Sequence, residues 1–288
     1  MKASAFSPGH ITGFFVIKDK KEDIRKKGSL GAGLCLSKGV ITTVSIRKSG
    51  KQKIEIFLNN KKSRAEVTRF VAKKFLGEKK YYVVIKTTFQ LPVSQGFGMS
   101  GASALSTGLA LNKALKLNLP FNKIVEIAHE SEIFNKTGLG DVVAESAGGA
   151  EIRVKEGLPP YGTLRKIKGN RDVVLCVLGK GMKTKTVLSS PEQKRKINRY
   201  GDVCMKKLMS NIKIENFFHL SYDFALKTGL ANKKIIKAIE ESKNYGMASQ
   251  AMLGNSVFAV GNTKKLVKTL KNFGNVYICR VGGKARVL

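Results

Sequence analysis

Cysteine is scarce and unpatterned in this 288-residue chain. Only Cys35, Cys176, Cys204 and Cys279 occur, and no two of them form a CxxC pair. The usual spacing of a zinc site or a disulfide framework is therefore missing, and buried free thiols are expected. No apolar run reaches the ~20 residues that cross a bilayer, and the opening Lys2-Ala3-Ser4-Ala5-Phe6-Ser7-Pro8-Gly9 lacks the layout of a signal peptide. These absences predict a cytoplasmic protein with no membrane partner. Acidic residues are also few, 20 against 53 lysines and arginines, for a net charge of +33. Such an excess invites nucleic acid, but the lysines are spread through all thirds of the chain. No zinc finger, RNP aromatic pattern or arginine-rich arm accompanies them. A solvated basic surface with no specific nucleic-acid partner is the expectation. Internal repeats and low-complexity segments are missing as well.

What the chain does contain is ordinary globular material, 42% hydrophobic and 25% charged, in an amount that suits two domains. Residues 11–17, 31–36, 40–46, 54–58, 64–71 and 81–87 are rich in Val, Ile, Phe and Thr and read as strands, with Ser37-Lys38-Gly39 as a hairpin turn. Helices are predicted over about 103–116 and 123–134, the second capped by Asn122, and a strand over 148–154. Pro159-Pro160-Tyr161-Gly162 is the best boundary, dividing the chain into domains 1–160 and 161–288. The second half reads as strands at 173–178, 257–260 and 276–281, with helices over 192–211, 216–228, 232–243 and 263–272. Strands first, then helices, then β-α-β, point to α+β rather than a doubly wound sheet.

One segment stands out chemically. Gln95-Gly96-Phe97-Gly98-Met99-Ser100-Gly101-Ala102 follows a β-rich stretch and opens an apolar helix. Glycines and small neighbours let the backbone come close to an anion, and a helix start offers it free N–H groups. It is not a Walker loop, since no Gly-Lys-Ser/Thr follows. A plain tight turn into a helix is the alternative.

A second anomaly is an acidic island. Between Ile124 and Ile152 there are six acids (Glu126, Glu130, Glu132, Asp141, Glu145 and Glu151) and one base, Lys136, in a chain of +33. A divalent-cation site or a proton-abstracting site would explain it; an ordinary charged helix face explains part of it. On a helical wheel, Ile124, Ile127, Ala128 and Ser131 share one arc. Val125 and Glu132 stand at its edge with His129 just beyond, while Glu126 and Glu130 face water. Glu132 then needs a partner, either a metal ion or a structural hydrogen bond. Asp141 follows in Lys136-Thr137-Gly138-Leu139-Gly140-Asp141, a glycine-flanked loop. Ser100 and Glu132 would supply a hydroxyl and a carboxylate to Mg²⁺, and Asp141 a base: the kit for moving a γ-phosphoryl group to an alcohol.

These motifs together resemble the GHMP small-molecule kinases. Ser7-Pro8-Gly9-His10-Ile11-Thr12-Gly13 is similar to their first motif and Gly96-Phe97-Gly98-Met99-Ser100-Gly101-Ala102 to their second, and the acidic helix, the Gly-x-Asp loop and Gly148-Gly149 follow in order. More narrowly, the first motif with Phe14-Phe15, Ala128-His129-x-x-Glu132 and Thr137-Gly138-Leu139-Gly140-Asp141-Val142 resemble the archaeal pantoate kinases. The chain departs from the wider pattern in His10, Gly13-Phe14 and Met99. Its third motif is weak, with Gly246-Met247-Ala248-Ser249-Gln250 and Gly254 the only candidates. The resemblance implies a two-domain fold, a β-rich N-terminal domain with crossover helices and a C-terminal ferredoxin-like α/β sandwich with extra helices. It implies ATP-dependent phosphorylation of (R)-pantoate with Mg²⁺ on Ser100 and Glu132, and Asp141 as base. It also implies ATP on residues 96–102 (Gly96, Phe97, Gly98, Met99, Ser100, Gly101 and Ala102). The substrate is expected against His10, Ser29 in the flexible turn Lys27-Gly28-Ser29-Leu30-Gly31, His129 beside Glu132 on the wheel, and Arg153, whose planar fork suits a carboxylate. A plain turn is the alternative for Ser29, and a surface ion pair with Glu151 for Arg153. The alternatives are another kinase of the superfamily, for homoserine, shikimate or mevalonate, and a basic nucleic-acid-binding protein. A homodimer is left open, and His219 is given no role.

Overall fold

A computed structural model describes residues 1–169, 171–182 and 190–288. Its first sheet is built on two long antiparallel strands, β1 (Lys2–Lys18) and β2 (Gly28–Lys48), joined by a 3-10 turn at Ile24–Lys26. β2 pairs through its second half with β5 (Tyr81–Phe89) and through its first half with β6 (Ala150–Lys155). β3 (Lys53–Leu58) lies parallel to β5 across helix α1 (Glu66–Leu76), and β4 (Lys61–Lys62) edges it. Helices α2 (Met99–Leu115), α3 (Phe121–Asn135) and α4 (Asp141–Ala147) follow. Buried residues of α1 to α4 form one core with the sheet positions Val44, Ile46, Ile56, Val83 and Ile85.

The second sheet has the order β11-β8-β10-β9, with β8 Asp172–Val177, β9 Gly246–Gln250, β10 Ser256–Gly261 and β11 Asn275–Arg280. Read along the chain that is 4-1-3-2, the antiparallel ferredoxin-like order that the resemblance implied. α7 (Lys233–Lys243) and α8 (Thr263–Lys271) pack on Val174 and Cys176 of β8. The alternate residues Val173 and Leu175 belong to the core formed with α5 (Pro191–Ser210) and α6 (Ile214–Thr228). A period of two thus splits one strand between two helical layers. The 160/161 division falls between β6 and β7 (Thr163–Ile167), which pair with each other. β12 (Arg286–Val287) pairs with β1, so the first sheet draws strands from both sides of that division.

Several local expectations are corrected. Residues 64–71 lie largely in α1, not in a strand: Thr68, Val71, Ala72, Phe75 and Leu76 are buried at helical spacing, and Val67, Thr68, Phe70 and Val71 give the short segment a strand-like composition that hides that period. Ser37-Lys38-Gly39 is no hairpin turn; β2 runs through it. Gly39 is there for a close approach, since a Cβ on it would lie 2.1 Å from the Ser7 carbonyl. α3 starts one residue before Asn122, with Pro120 at its N-cap and no side-chain cap. Asp141 is not in a loop but is the first residue of α4.

α2 is buried on nearly every side, including Gly101, Ala102, Ser103, Ala104, Ser106 and Gly108. Small residues all round suit a central helix. Across the molecule, Phe14 of β1, Phe217 and Phe218 of α6 and Phe258 of β10 form an aromatic cluster, with Phe217 5.5 to 6.3 Å from the other three rings. Gly13 makes room for it, as a Cβ there would stand 2.5 Å from the Phe217 ring. The cluster ties the first sheet to the second. Phe217→Ala should therefore destabilise the protein by about 3–5 kcal/mol, read as a lower midpoint in urea denaturation at unchanged slope.

Candidate active site

A cavity of about 570 Å³ opens where the two sheets' loops meet α2. Its lining comes from the loop after β5 (Val93 to Met99), the start of α2 (Ser100, Ser103), the α3–α4 connection (Asn135 to Asp141) and the start of α1 (Ala65 to Thr68). Thr12, Phe15, Ser29, Leu58, Phe89, Met182, Met252 and Leu253 complete it. The loop before α2 is set by Gly96 and Gly98, both at positive φ (74° and 63°), the second as the N-cap of α2. The first backbone bond of α2 runs from the Ala102 N–H to the Gly98 carbonyl at 3.0 Å. The N–H groups of Met99, Ser100 and Gly101 are thereby left unpaired within the helix, facing whatever anion lies at its start.

At that helix start the Ser100 hydroxyl donates to Glu132 Oε2 at 3.1 Å, and the Thr137 hydroxyl to Glu132 Oε1 at 2.7 Å. The wheel reading of α3 holds: Glu132 is buried, while Glu130 points outward to Lys74 at 2.8 Å. Burial, with the charge of Asp141 adding to it, pushes the Glu132 carboxyl up to about 7 against the pull of its two hydroxyl partners. Among the described residues no cation pairs with Glu132, and no cluster of three or more His, Cys, Asp or Glu could hold a metal unaided. One carboxylate and one hydroxyl at 3.1 Å nonetheless suit Mg²⁺, which keeps waters and phosphate oxygens for its other positions. Gly138 lines the cavity beside them. A Cβ there would meet Glu132 Oε2 at 2.5 Å and Asp141 Oδ2 at 3.3 Å.

Behind Asp141 runs a row of alternating charges. His10 Nδ1 lies 2.8 Å from Asp141 Oδ1, His10 Nε2 lies 3.0 Å from Glu151 Oε1, and Arg153 Nη1 donates to the same Glu151 oxygen at 2.5 Å. His10 is turned inward by a bulge in β1, where the register slips between Pro8 and His10; its own N–H is tied to the Phe97 carbonyl at 3.0 Å. Burial works against a charged imidazole, but hydrogen bonds and attraction from Asp141 and Glu151 outweigh it and raise His10 above its usual range. Each ring nitrogen faces a carboxylate oxygen, an acceptor, so the geometry favours a proton on both. Burial would raise Asp141, yet the His10 hydrogen bond and charge, helped by Arg153, hold it below the ordinary carboxylate range. Asp141 is the member of the row that lines the cavity, with a side chain 27% exposed.

The structure brings Ser100, Asp141 and Ser29 to one cavity, with Gly96, Phe97, Gly98 and Met99. Glu132 is buried just behind that lining, held by the cavity residues Ser100 and Thr137. The structure does not bring the rest there. His10 is fully buried and both ring nitrogens are taken, so it stands behind Asp141 rather than against a ligand. His129 is buried too; its Nε2 donates to the Lys27 carbonyl at 3.0 Å, and burial lowers it toward the neutral form. It braces the turn before Ser29. Arg153 is held by Glu151 in a buried pair. Its Nε has no partner and lies beside the cavity-lining residues Gly140 and Ser29, as a Cβ on Gly140 would come within 2.8 Å of Nε and 2.3 Å of Ser29 Oγ. Ala102 spends its N–H within the helix. Gly101 packs against α4, where a Cβ would press on Glu145 and Val142, so its side contributes only backbone. The Phe97 ring belongs to the core. Of the third-motif candidates, Gly246–Gln250 is strand β9. The loop after it reaches the cavity through Met252 and Leu253, and Gly254 seats that loop on Gln95.

In the sequence, Glu145 stood out only within the acidic island, and Glu151 there and as a surface ion-pair partner of Arg153; the pair forms, but it is buried. Glu145 follows Asp141 by four residues, on the same face of α4. Glu151 precedes Arg153 by two, on the same side of β6. Those spacings were the available signals. Glu145 is wholly buried beneath Gly98 and Gly101 with neither oxygen partnered. Burial first, then the charges of Asp141 and Glu132, push its carboxyl well above the usual range.

Residues 64–149 match the GHMP kinases N terminal domain. The chain is 38% identical over 279 residues, 96% of its length and 99% of the relative's, to a pantoate kinase of Methanocaldococcus jannaschii. It is 35% identical over 271 residues to a pantoate kinase of Thermococcus kodakarensis, covering 90% of this chain and 88% of the other. Among solved structures, a phosphotransferase related to the CoA biosynthesis pathway superposes with a TM-score of 0.91 at 31% identity, covering 100% of this chain and 99% of that one.

The raised Glu132 makes a pH prediction for the ligand-free protein. A folded carboxyl that keeps its proton where the unfolded chain has lost it makes stability fall as pH climbs, here between about 5 and 7, by up to ~1.4 kcal/mol per unit. Glu132→Gln should remove that share of the slope, while Glu130→Ala, at a surface pair, should leave it unchanged. Urea midpoints at pH 5, 6, 7 and 8 check this; an unaltered slope in Glu132→Gln would mean that the carboxyl is already ionised throughout.

Proposed function

The chain belongs to the pantoate kinase family of the GHMP kinases, and from that premise we propose how its cavity carries out the reaction. It transfers the γ-phosphoryl group of ATP to a hydroxyl of (R)-pantoate, giving (R)-4-phosphopantoate and ADP, a step toward coenzyme A. Identity over almost the full length of curated pantoate kinases is the observation that carries this reading. The four unpaired buried cysteines support a reducing, cytoplasmic setting.

The triphosphate lies on the loop from Gly96 to Gly101, where the unpaired N–H groups and dipole of α2 meet it. Ser100 and Glu132 would hold Mg²⁺, which when bound would offset the charge that builds on the phosphate oxygens during transfer. Ionisation of Glu132 is costly without that ion and favoured with it. Asp141, kept ionised by His10, accepts the hydroxyl proton of pantoate on Oδ2 as the oxygen attacks phosphorus, and the proton later passes to water. The pantoate carboxylate sits over Ser29 and the free Nε side of Arg153, at the opposite end of the His10 row. That places the acceptor's alcohol and acid ends on the two termini of one buried network.

An ADP-release assay over pantoate, homoserine, shikimate and mevalonate tests the reading, with turnover on pantoate expected to dominate. Asp141→Asn preserves size and removes the base. kcat should fall by roughly 10²- to 10⁴-fold with little change in the KM for ATP; near-normal kcat would dismiss Asp141 as the base. Arg153→Ala should raise the KM for pantoate about tenfold or more and spare that for ATP. An effect confined to ATP would instead assign Arg153 to the nucleotide.

A further inference from the structure

Glu151 is the one member of the buried row with no part in the scheme above. It is fully buried in β6, and it lies behind both Asp141 and Arg153. Its Oε1 receives both His10 Nε2 and Arg153 Nη1, and its Oε2 has no partner. A carboxylate whose two donors converge on a single oxygen links them mechanically: a shift of either donor changes the seat of the other. The two donors lead to opposite ends of the acceptor site. His10 leads to Asp141, whose Oδ2 flanks Gly138, and Arg153 leads to Gly140 and Ser29.

We propose that Glu151 is a positioning residue that couples the two ends of the acceptor site, seating the Arg153 guanidinium for the pantoate carboxylate and, through the same oxygen, holding His10 as the imidazolium that fixes Asp141 toward the pantoate hydroxyl. This rests on the roles given to Asp141 and Arg153. The charges along the row sum to zero: Asp141 and Glu151 negative, His10 and Arg153 positive. Without the charge of Glu151, the guanidinium of Arg153 would be the nearest ion on that side of His10, and two neighbouring cations disfavour each other. The imidazole would then shed a proton and loosen its hold on Asp141. The other titratable groups nearby do not substitute. Cys35 of β2 is held as a thiol by burial and by the charges of Glu151 and Glu145, and it donates to the Ala144 carbonyl at 3.2 Å. Glu145 of α4 is driven toward its neutral form.

Glu151→Gln keeps shape and acceptor oxygen but not charge. It should lower kcat at least about tenfold and raise the KM for pantoate at least about fivefold, with the KM for ATP within about twofold. A merely structural defect would move all three. Ring ¹⁵N spectra, simplified by only three histidines, should show an imidazolium at His10 in the unmutated protein at pH 7 and a neutral ring in Glu151→Gln. Unchanged kcat and pantoate KM in Glu151→Gln overturn the proposal. So does a neutral His10 in the unmutated protein, which decides the matter even should the variant not fold. Asp141→Asn and Arg153→Ala measured alongside separate the two levels: if they behave normally the roles assigned to those residues fail, whereas if they are impaired and Glu151→Gln is normal only the coupling fails.

Discussion

An imidazole buried between two carboxylates imposes conditions on three separate stretches of chain at once. His10 comes from the bulge in β1, Asp141 from the first turn of α4 and Glu151 from β6. A charge out of water is costly by itself, and each of these groups is tolerable only because the next one in the row is in place. The row therefore acts as a registry device. β1 must slip by its bulge to face His10 inward, α4 must start at Asp141, and Glu151 must stand opposite Gly33 for the distances to close. The cavity is the space left in front of this arrangement, walled by the start of α2.

Three carboxylates crowd the same helix start, and their surroundings drive them apart in acidity. Asp141 has a cation at its back and is held low. Glu132 has only hydroxyls and rises to about 7. Glu145 has no partner among the described residues and is also raised well above the usual carboxylate range. One fold thus favours the charged form at Asp141 and the uncharged acid at Glu132 and Glu145, a division set by neighbours rather than by residue type. In a chain of +33, six of the 20 acidic residues fall between Glu126 and Glu151, and Glu132, Glu145 and Glu151 among them are buried.

Local patterns made much of this legible in the sequence. The inward edge of α3 follows from spacing within one segment and the α+β order from the succession of segments, and the structure reproduces both. α2 follows the glycine-rich stretch as expected but starts at Met99, four residues before the predicted 103. What was not legible depends on distance along the chain. His10 meets partners 131 and 141 residues away, and no local pattern tells a ligand-facing histidine from one locked between carboxylates. An Arg153–Glu151 pair was legible only as a surface one, because nothing local shows that this face of β6 is covered. Residues 64–71 misled for a different reason. The stretch ends before the period of α1 completes, and Val67, Thr68, Phe70 and Val71 give what is visible a strand-like composition. Gly39 looked like a turn when its missing side chain serves a strand crossing.

The floor of the cavity is made largely of glycine. Gly98, Gly138 and Gly140 each sit where an added Cβ would collide with Glu145, Glu132, Ser29 or Arg153, and Gly31 and Gly33 fill the same role one layer down against Arg153 and His10. Such a floor has no room for variation: every alternative residue intrudes on a catalytic or supporting group. The apolar lining positions Val67, Phe89, Val93, Met252 and Leu253 are not bound by that constraint. Substitution can reshape the cavity there without disturbing the buried row behind Asp141.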